Sequence, residues 1–129
     1  NIYLFLRKSK KFRETRFTKE IDKSENKPEL MSKYRKADKL CKEAFEIFKD
    51  IYAKFARNSA LDALPWGGVY IAGGIAPKNK DIFDNKFLKS FEQSHKMAKV
   101  LKKIPIYLIS QHHNPGLLGA GFAGAKFLR

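Results

Sequence analysis

The sequence predicts an α/β fold in which helices connect two parallel strands, and three observations support this prediction. Two short, nearly continuous apolar runs, residues 69–72 and 106–109, have the pattern of strands buried on both faces of a parallel sheet. About 33 residues lie between them, the usual length of a right-handed βαβ crossover. Each run is followed by turn residues, Gly73-Gly74 after the first and Asn114-Pro115 beyond the second.

A long amphipathic helix is predicted over Lys36–Leu64, where Pro65 ends it. Its apolar residues recur at helical spacing and are predicted to be core: Leu40, Ala44, Phe45, Phe48, Ile51, Tyr52, Phe55 and Ala56. The opposite, solvated face is predicted to carry Lys42, Glu46, Lys49, Asp50 and Lys54.

The segments before this helix carry weaker signals. Asn1–Lys11 contains an apolar run that suits a helix or a strand equally. Phe12–Lys33 is charged and is predicted to be a surface excursion with a turn, in which Pro28 opens a short helical turn.

After the first strand, helical or turn spacing is predicted at Asp81–Phe83, Lys86–Gln93 and Met97–Lys102. A final helix is predicted over Leu117–Leu128, with Asn114 as its N-cap and Pro115 in its first turn. Its many glycines and alanines are costly in a lone helix, so we expect it to pack tightly under a sheet or at a domain junction.

Composition limits the class of protein. The 129 residues predict a single domain, and no apolar stretch approaches the roughly 20 residues that span a membrane. The apolar run near the N-terminus is too short for a signal peptide, and a single cysteine, Cys41, fits a reducing cytoplasm. We expect Cys41 to be an inert, small apolar residue.

A net charge of +14 raises the hypothesis of a basic nucleic-acid-binding domain. Against this, lysines outnumber arginines and are scattered from Lys8 to Lys126, whereas base recognition relies on arginine. Any nucleic-acid binding is therefore expected to be weak, nonspecific and sensitive to salt.

The double glycine after the first strand is the best candidate site. Two strands that end in glycine-rich or capped turns place those turns at the carboxyl edge of the sheet, where open α/β folds bind ligands. Gly73-Gly74 would let a flat ligand approach the backbone, although a glycine pair alone is more often a tight turn without a ligand. The spacing matches neither a Walker loop nor a dinucleotide fingerprint.

Two blocks of the sequence resemble the bacterial glucokinase family, which belongs to the actin-like ATPase and sugar kinase superfamily. Residues 67–75, Gly-Gly-Val-Tyr-Ile-Ala-Gly-Gly-Ile, are similar to the adenosine motif of that family. Residues 114–120, Asn-Pro-Gly-Leu-Leu-Gly-Ala, are similar to its second connecting helix. The resemblance is looser over Phe83–Ile104 and around Lys36–Leu64, and it covers the last two-fifths or so of such an enzyme.

The resemblance implies the C-terminal part of an actin-like, ribonuclease H-like ATPase domain. The complete enzyme would transfer a phosphoryl group from ATP to glucose with Mg²⁺, and this chain would line the adenine and ribose pocket with Gly73, Gly74, Ile75 and Pro77. No catalytic residue carries over, so the chain alone is expected to be inactive. A homodimer is left open.

Two further observations bear on this hypothesis. Two parallel strands alone leave open edges, which predicts further strands upstream of residue 1. His112 and His113 stand where the family has an acidic residue, and adjacent histidines rarely converge on one metal ion, so no metal site is predicted. A non-catalytic remnant of the fold, acting as a binding module, is the alternative interpretation.

Overall fold

The computed structural model describes residues 2–110 and 114–127. The described elements follow one another along the chain as α1 (Ile2–Lys8), α2 (Arg16–Lys23), α3 (Lys27–Tyr34), α4 (Lys39–Ala63), β1 (Val69–Ile71), α5 (Ile75–Lys78), a short 3-10 helix (Lys80–Ile82), α6 (Asn85–Glu92), α7 (Ala98–Leu101), β2 (Ile106–Leu108) and α8 (Pro115–Phe127). The described residues form two compact units: residues 2–55 with 83–91, and residues 56–82 with 92–110 and 114–127. The structure is therefore an α/β arrangement, as predicted, but a mostly helical one.

The first unit contains a core built where α1, α2 and the beginning of α4 meet. Its buried members are Tyr3, Leu6, Ile21, Leu40, Cys41 and Ala44. The N-terminal apolar run is thus a helix, one of the two structures that its pattern allowed. Burial raises the pKa of the Cys41 thiol to about 12, so this cysteine stays protonated and inert, as predicted.

The prediction of a surface excursion over Phe12–Lys33 was wrong, because this segment forms α2 and α3, but Pro28 does stand in the first turn of a helix, as predicted. Thr15 starts α2 with a capping box: its hydroxyl accepts a hydrogen bond from the Thr18 amide, and the Thr18 hydroxyl accepts one from the Thr15 amide. The helix then buries Ile21 completely. Phe17 and Ile21 lie four positions apart among charged residues, so a helical signal was present in the sequence but short.

The long helix α4 is confirmed, and its apolar stripe is only partly core. Leu40, Ala44 and Ala56 are buried, but the side chains of Ile51 and Phe55 are exposed by 53% and 68%. These two residues lie four positions apart and share one side of the helix. The prediction that the whole stripe is core was therefore wrong at these two positions.

Lys49 is buried rather than solvated, which corrects its predicted place on the polar face. Its Nζ lies 2.9 Å from Glu46 Oε1 and 3.1 Å from Asp84 Oδ2. Burial lowers the pKa of Lys49, but the two carboxylates outweigh burial and the net pKa is raised. Lys49 thus joins α4 to the residue that caps α6, since Asp84 Oδ1 accepts hydrogen bonds from the amides of Lys86 and Phe87.

These ion pairs should make the free energy of unfolding depend on pH in the acidic range. The Lys49 ammonium holds the pKa of Glu46 below its ordinary 4.5. Burial raises the pKa of Asp84, but the Phe87 amide and Lys49 outweigh it and hold the pKa below its ordinary 3.8. Because both pKa values are lowered on folding, their contribution is fully present above the ordinary values and disappears as the pH falls through the folded ones.

We expect Lys49→Met to lower the free energy of unfolding at neutral pH, and we expect this difference from the unmodified chain to shrink as the pH falls through the lowered pKa values of Glu46 and Asp84. Urea unfolding across this pH range measures the difference. Lys54→Met is the matched control, because Lys54 pairs with Asp50 four residues earlier at 2.6 Å on an exposed surface and should contribute little. An unchanged difference at low pH would contradict the expectation.

The second unit contains the sheet, in which β1 and β2 pair in parallel with Val69, Tyr70 and Ile71 opposite Ile106, Tyr107 and Leu108. Parallel pairing confirms the prediction from the two apolar runs. The prediction that the strands are buried on both faces of the sheet was wrong, because Tyr70 is 61% exposed and Tyr107 is 45% exposed. The two rings stack on each other at 5.0 Å between centroids, which shields part of their apolar area on an otherwise open face.

The final helix α8 begins at Pro115, as the sequence predicts, with Asn114 as its cap. The Asn114 Oδ1 accepts a hydrogen bond from the Leu117 amide, and the Asn114 carbonyl accepts one from the Leu118 amide. Every residue of α8 is exposed, so the expected tight packing is absent from this structure. Among the described residues, no helix is both long and apolar enough to cross a membrane.

Candidate functional site

A cleft of about 250 Å³ opens at the carboxyl ends of the two parallel strands in the second unit. It is lined by residues that follow β1, residues that follow β2, and the first residues of α8: Gly73, Gly74, Pro77, Ile109, Ser110, Asn114 and Pro115. The register explains this convergence, because the Ile109 amide donates to the Ile71 carbonyl at 2.9 Å and keeps the two strand ends side by side. The sequence-based prediction of a shared edge is therefore confirmed.

The double glycine forms the floor of one side of the cleft. Gly73 has a φ of 100°, a left-handed conformation that side chains rarely adopt. Gly74 has a φ of −74° and is the residue from which α5 starts. The left-handed residue of the pair is therefore Gly73 and not Gly74. A Cβ at either position would meet no atom within 4 Å, so both backbones face open space.

The other two predicted residues behave differently from each other. Pro77 lines the cleft, whereas Ile75 is 52% exposed and is not among the lining residues. Behind them, the Asn79 side chain donates to the Ile75 carbonyl at 3.0 Å and holds the short helix in place. Gly74 and Pro77 therefore face the cleft, whereas Ile75 does not line it.

Two lining residues, Ile109 and Ser110, were not predicted as site residues. The signal was present in the sequence, since both follow β2 directly and the carboxyl ends of parallel strands meet at one edge. Asn114 and Pro115 were predicted as a helix start but not as part of a site. The cleft therefore has an apolar wall from Pro77 and Ile109 and a polar rim from Ser110 and Asn114.

The side chains of the described lining residues carry no charge, so this part of the cleft offers shape and apolar contact and, among the described residues, no acid or base. Within residues 2–110 and 114–127, no group of three histidine, cysteine or carboxylate side chains could hold a metal ion. The histidines considered as a metal pair, His112 and His113, lie outside the described residues. The chemistry that this cleft can support is the binding of an uncharged, flat part of a ligand.

The comparisons with known proteins agree on one family. The family model described as Glucokinase matches residues 1–126. Curated relatives named Glucokinase include those of Nostoc sp., 42% identical over 91 residues, and of Nostoc punctiforme, 43% identical over 94 residues. The relative from Photorhabdus laumondii is 42% identical over 87 residues.

The matched parts cover 67–70% of this chain and 26–27% of these three relatives. The chain therefore spans about a quarter of the length of the curated relatives that it matches. The family model reaches almost from one end of the chain to the other, and the strands and turns at the cleft fall inside it. This chain belongs to the glucokinase family.

Proposed function

We propose that the complete protein transfers a phosphoryl group from ATP to glucose, giving glucose 6-phosphate, and that these 129 residues form its C-terminal, nucleotide-side portion. The family match over residues 1–126 is the observation that carries the proposal. The proposal includes an actin-like fold for the complete domain, completed by further strands on the open sheet, and a place in the cytoplasm.

We assign the cleft to the adenine and ribose of the nucleotide. Its volume of about 250 Å³ falls just below the roughly 300–1,000 Å³ of whole ligand sites, as suits one part of a ligand. The backbone of Gly73 and Gly74 leaves room for a flat ring, and Pro77 supplies an apolar wall. Ser110 and Asn114 provide polar atoms at the rim, where sugar hydroxyls would lie.

Phosphoryl transfer from ATP uses Mg²⁺ to neutralise charge on the phosphates. The residues of this cleft do not fit that ion, because Mg²⁺ takes oxygen ligands that usually include carboxylates and none lines the cleft. In the proposed enzyme, the metal, the catalytic base and the glucose contacts therefore belong to parts of the protein outside this cleft. The contribution of these residues is to hold the base so that the phosphates reach those parts.

The alternatives make different predictions. A non-catalytic remnant of the fold would keep the cleft and bind nucleotide without turnover. A basic nucleic-acid-binding domain would not need the cleft, and the family match does not favour it.

The test is a coupled assay for glucose 6-phosphate formed from glucose and ATP. The complete protein should show turnover, and the 129-residue chain alone should stay at background, because the described residues that line its cleft include no charged group. Turnover by the chain alone would overturn the assignment of roles. A complete protein that binds ATP in the cleft without turnover would establish the binding-module alternative.

A further inference from the structure

A second cavity, larger than the nucleotide cleft, lies in the first unit. Its volume is about 430 Å³, and it is formed by the segment before α2 and the segment at the start of α4. It is lined by Lys11, Phe12, Arg13, Thr15, Ala37, Asp38, Lys39 and Leu40. Neither the family match nor the proposed kinase activity assigns a role to it.

Three cationic side chains on this lining have no partner in the described part of the chain. Lys11, Arg13 and Lys39 take part in no ion pair, hydrogen bond or ring contact there, although Arg7 and Lys19 nearby both pair with Glu14. The carboxylate of Glu14 is thus already paired with Arg7 and Lys19. Together with the carboxylate of Asp38, these three cations leave the lining with a net positive charge, which attracts an anion.

The one carboxylate on the lining, Asp38, forms no ion pair with the three cations and offsets only one of their charges. Its side chain is almost fully buried, and its Oδ1 accepts hydrogen bonds from the amides of Leu40 and Cys41 at 2.9 and 3.0 Å. Its Oδ2 accepts the hydroxyl of Thr15 at 2.7 Å. Both oxygens are directed into the protein, and the pair Thr15–Asp38 fixes the two segments that bring the cations together.

The remaining lining explains what kind of anion would fit. The Phe12 ring is half-buried beside the core, and with Ala37 it adds apolar surface to a cavity whose charged groups are all cations except the engaged Asp38. The cavity is partly open, and its volume lies within the roughly 300–1,000 Å³ of sites that bind small molecules. We propose that this cavity binds a small phosphorylated metabolite, with Lys11, Arg13 and Lys39 on the phosphate.

Isothermal titration of the chain with inorganic pyrophosphate, at physiological ionic strength, tests the proposal. We expect saturable binding that weakens by about tenfold or more in Lys11→Gln/Lys39→Gln, since losing one charge-assisted contact corresponds to about that factor. Lys102→Gln/Lys103→Gln is the matched control, because it removes two exposed positive charges from the second unit and should change the affinity less than about twofold.

Equal losses in the two double variants would show general charge attraction and overturn the proposal, as would the absence of saturable binding by the unmodified chain. Arg13→Gln gives an independent second variant, expected to weaken binding in the same way while circular dichroism stays unchanged. A single-stranded oligonucleotide that binds more tightly than pyrophosphate through the same lysines would overturn the small-molecule assignment. The Gly74→Val variant should bind pyrophosphate normally, which separates this cavity from the nucleotide cleft.

Discussion

Replacing Gly74 by valine in the complete kinase is expected to raise the KM for ATP about tenfold or more and to leave the KM for glucose near its original value. The branched side chain would occupy the space that we assign to the adenine or ribose. Steady-state kinetics with each substrate varied in turn measure the two effects separately.

The structure indicates that Gly74→Val adds a side chain to the cleft without straining the backbone. Gly74 has a φ of −74°, which valine tolerates, and its Cβ would meet no protein atom within 4 Å. Gly73, at a φ of 100°, would add backbone strain to any side chain and so confuse stability with binding. The substitution at Gly74 therefore tests the cleft, and the adjacent position does not.

A melting temperature close to that of the unmodified enzyme is the necessary control for Gly74→Val. A folded variant with an unchanged dependence on ATP would show that the double glycine only forms a turn. Loss of activity that affects both substrates equally, together with a lower melting temperature, would also contradict the assignment of the cleft.

Replacing Gly68 by alanine is expected to destabilise the chain by about 2–4 kcal/mol, from left-handed strain of about 1–2 kcal/mol and a steric clash of similar size. Gly68 has a φ of 111°, and an added Cβ would lie 2.5 Å from Tyr107 Cε2 and 3.0 Å from the Pro105 carbonyl oxygen. The tyrosine ring can move, but the backbone oxygen is held by its bond to the Val69 amide at 2.9 Å.

The neighbouring glycine supplies the control for this prediction. A Cβ on Gly67 would meet nothing within 4 Å and its φ is not left-handed, so Gly67→Ala should change the free energy of unfolding by less than about 1 kcal/mol. In Gly68→Ala/Tyr107→Leu the ring clash is relieved and part of the stability should return. Equal effects of Gly67→Ala and Gly68→Ala in urea unfolding would contradict the structural argument.

The sequence was most informative where one residue type determines local geometry. The Asn114-Pro115 pair predicts the start of α8, and the two apolar runs predict a parallel pair whose ends meet at one cleft. The best site candidate followed from this edge rather than from a catalytic motif. Its assignment to a nucleotide depends on the family and is tested by the Gly74 variant.

The sequence was least informative where distant residues decide the outcome. The sequence pattern places Lys49 on the polar face of α4. Its ion pair with Asp84, 35 positions away along the chain, accompanies its burial and is not visible in that pattern. Nothing in the order Gly73-Gly74 shows which glycine has the left-handed conformation, because both residues permit it. Helix α2 has only two apolar residues, Phe17 and Ile21, and the residues that they contact lie in other segments of the chain.

Helix α8 has a thermodynamic consequence for the cleft that it borders. Its glycines 116, 119, 121 and 124 each cost about 1 kcal/mol relative to alanine, and no tertiary burial offsets this in the structure. One rim of the cleft, Asn114 and Pro115, is the first turn of that helix. A ligand held there would gain less affinity than its contacts suggest, because part of the binding free energy is used to order the helix. A second contact that orders α8 elsewhere along its length would therefore strengthen nucleotide binding in the cleft.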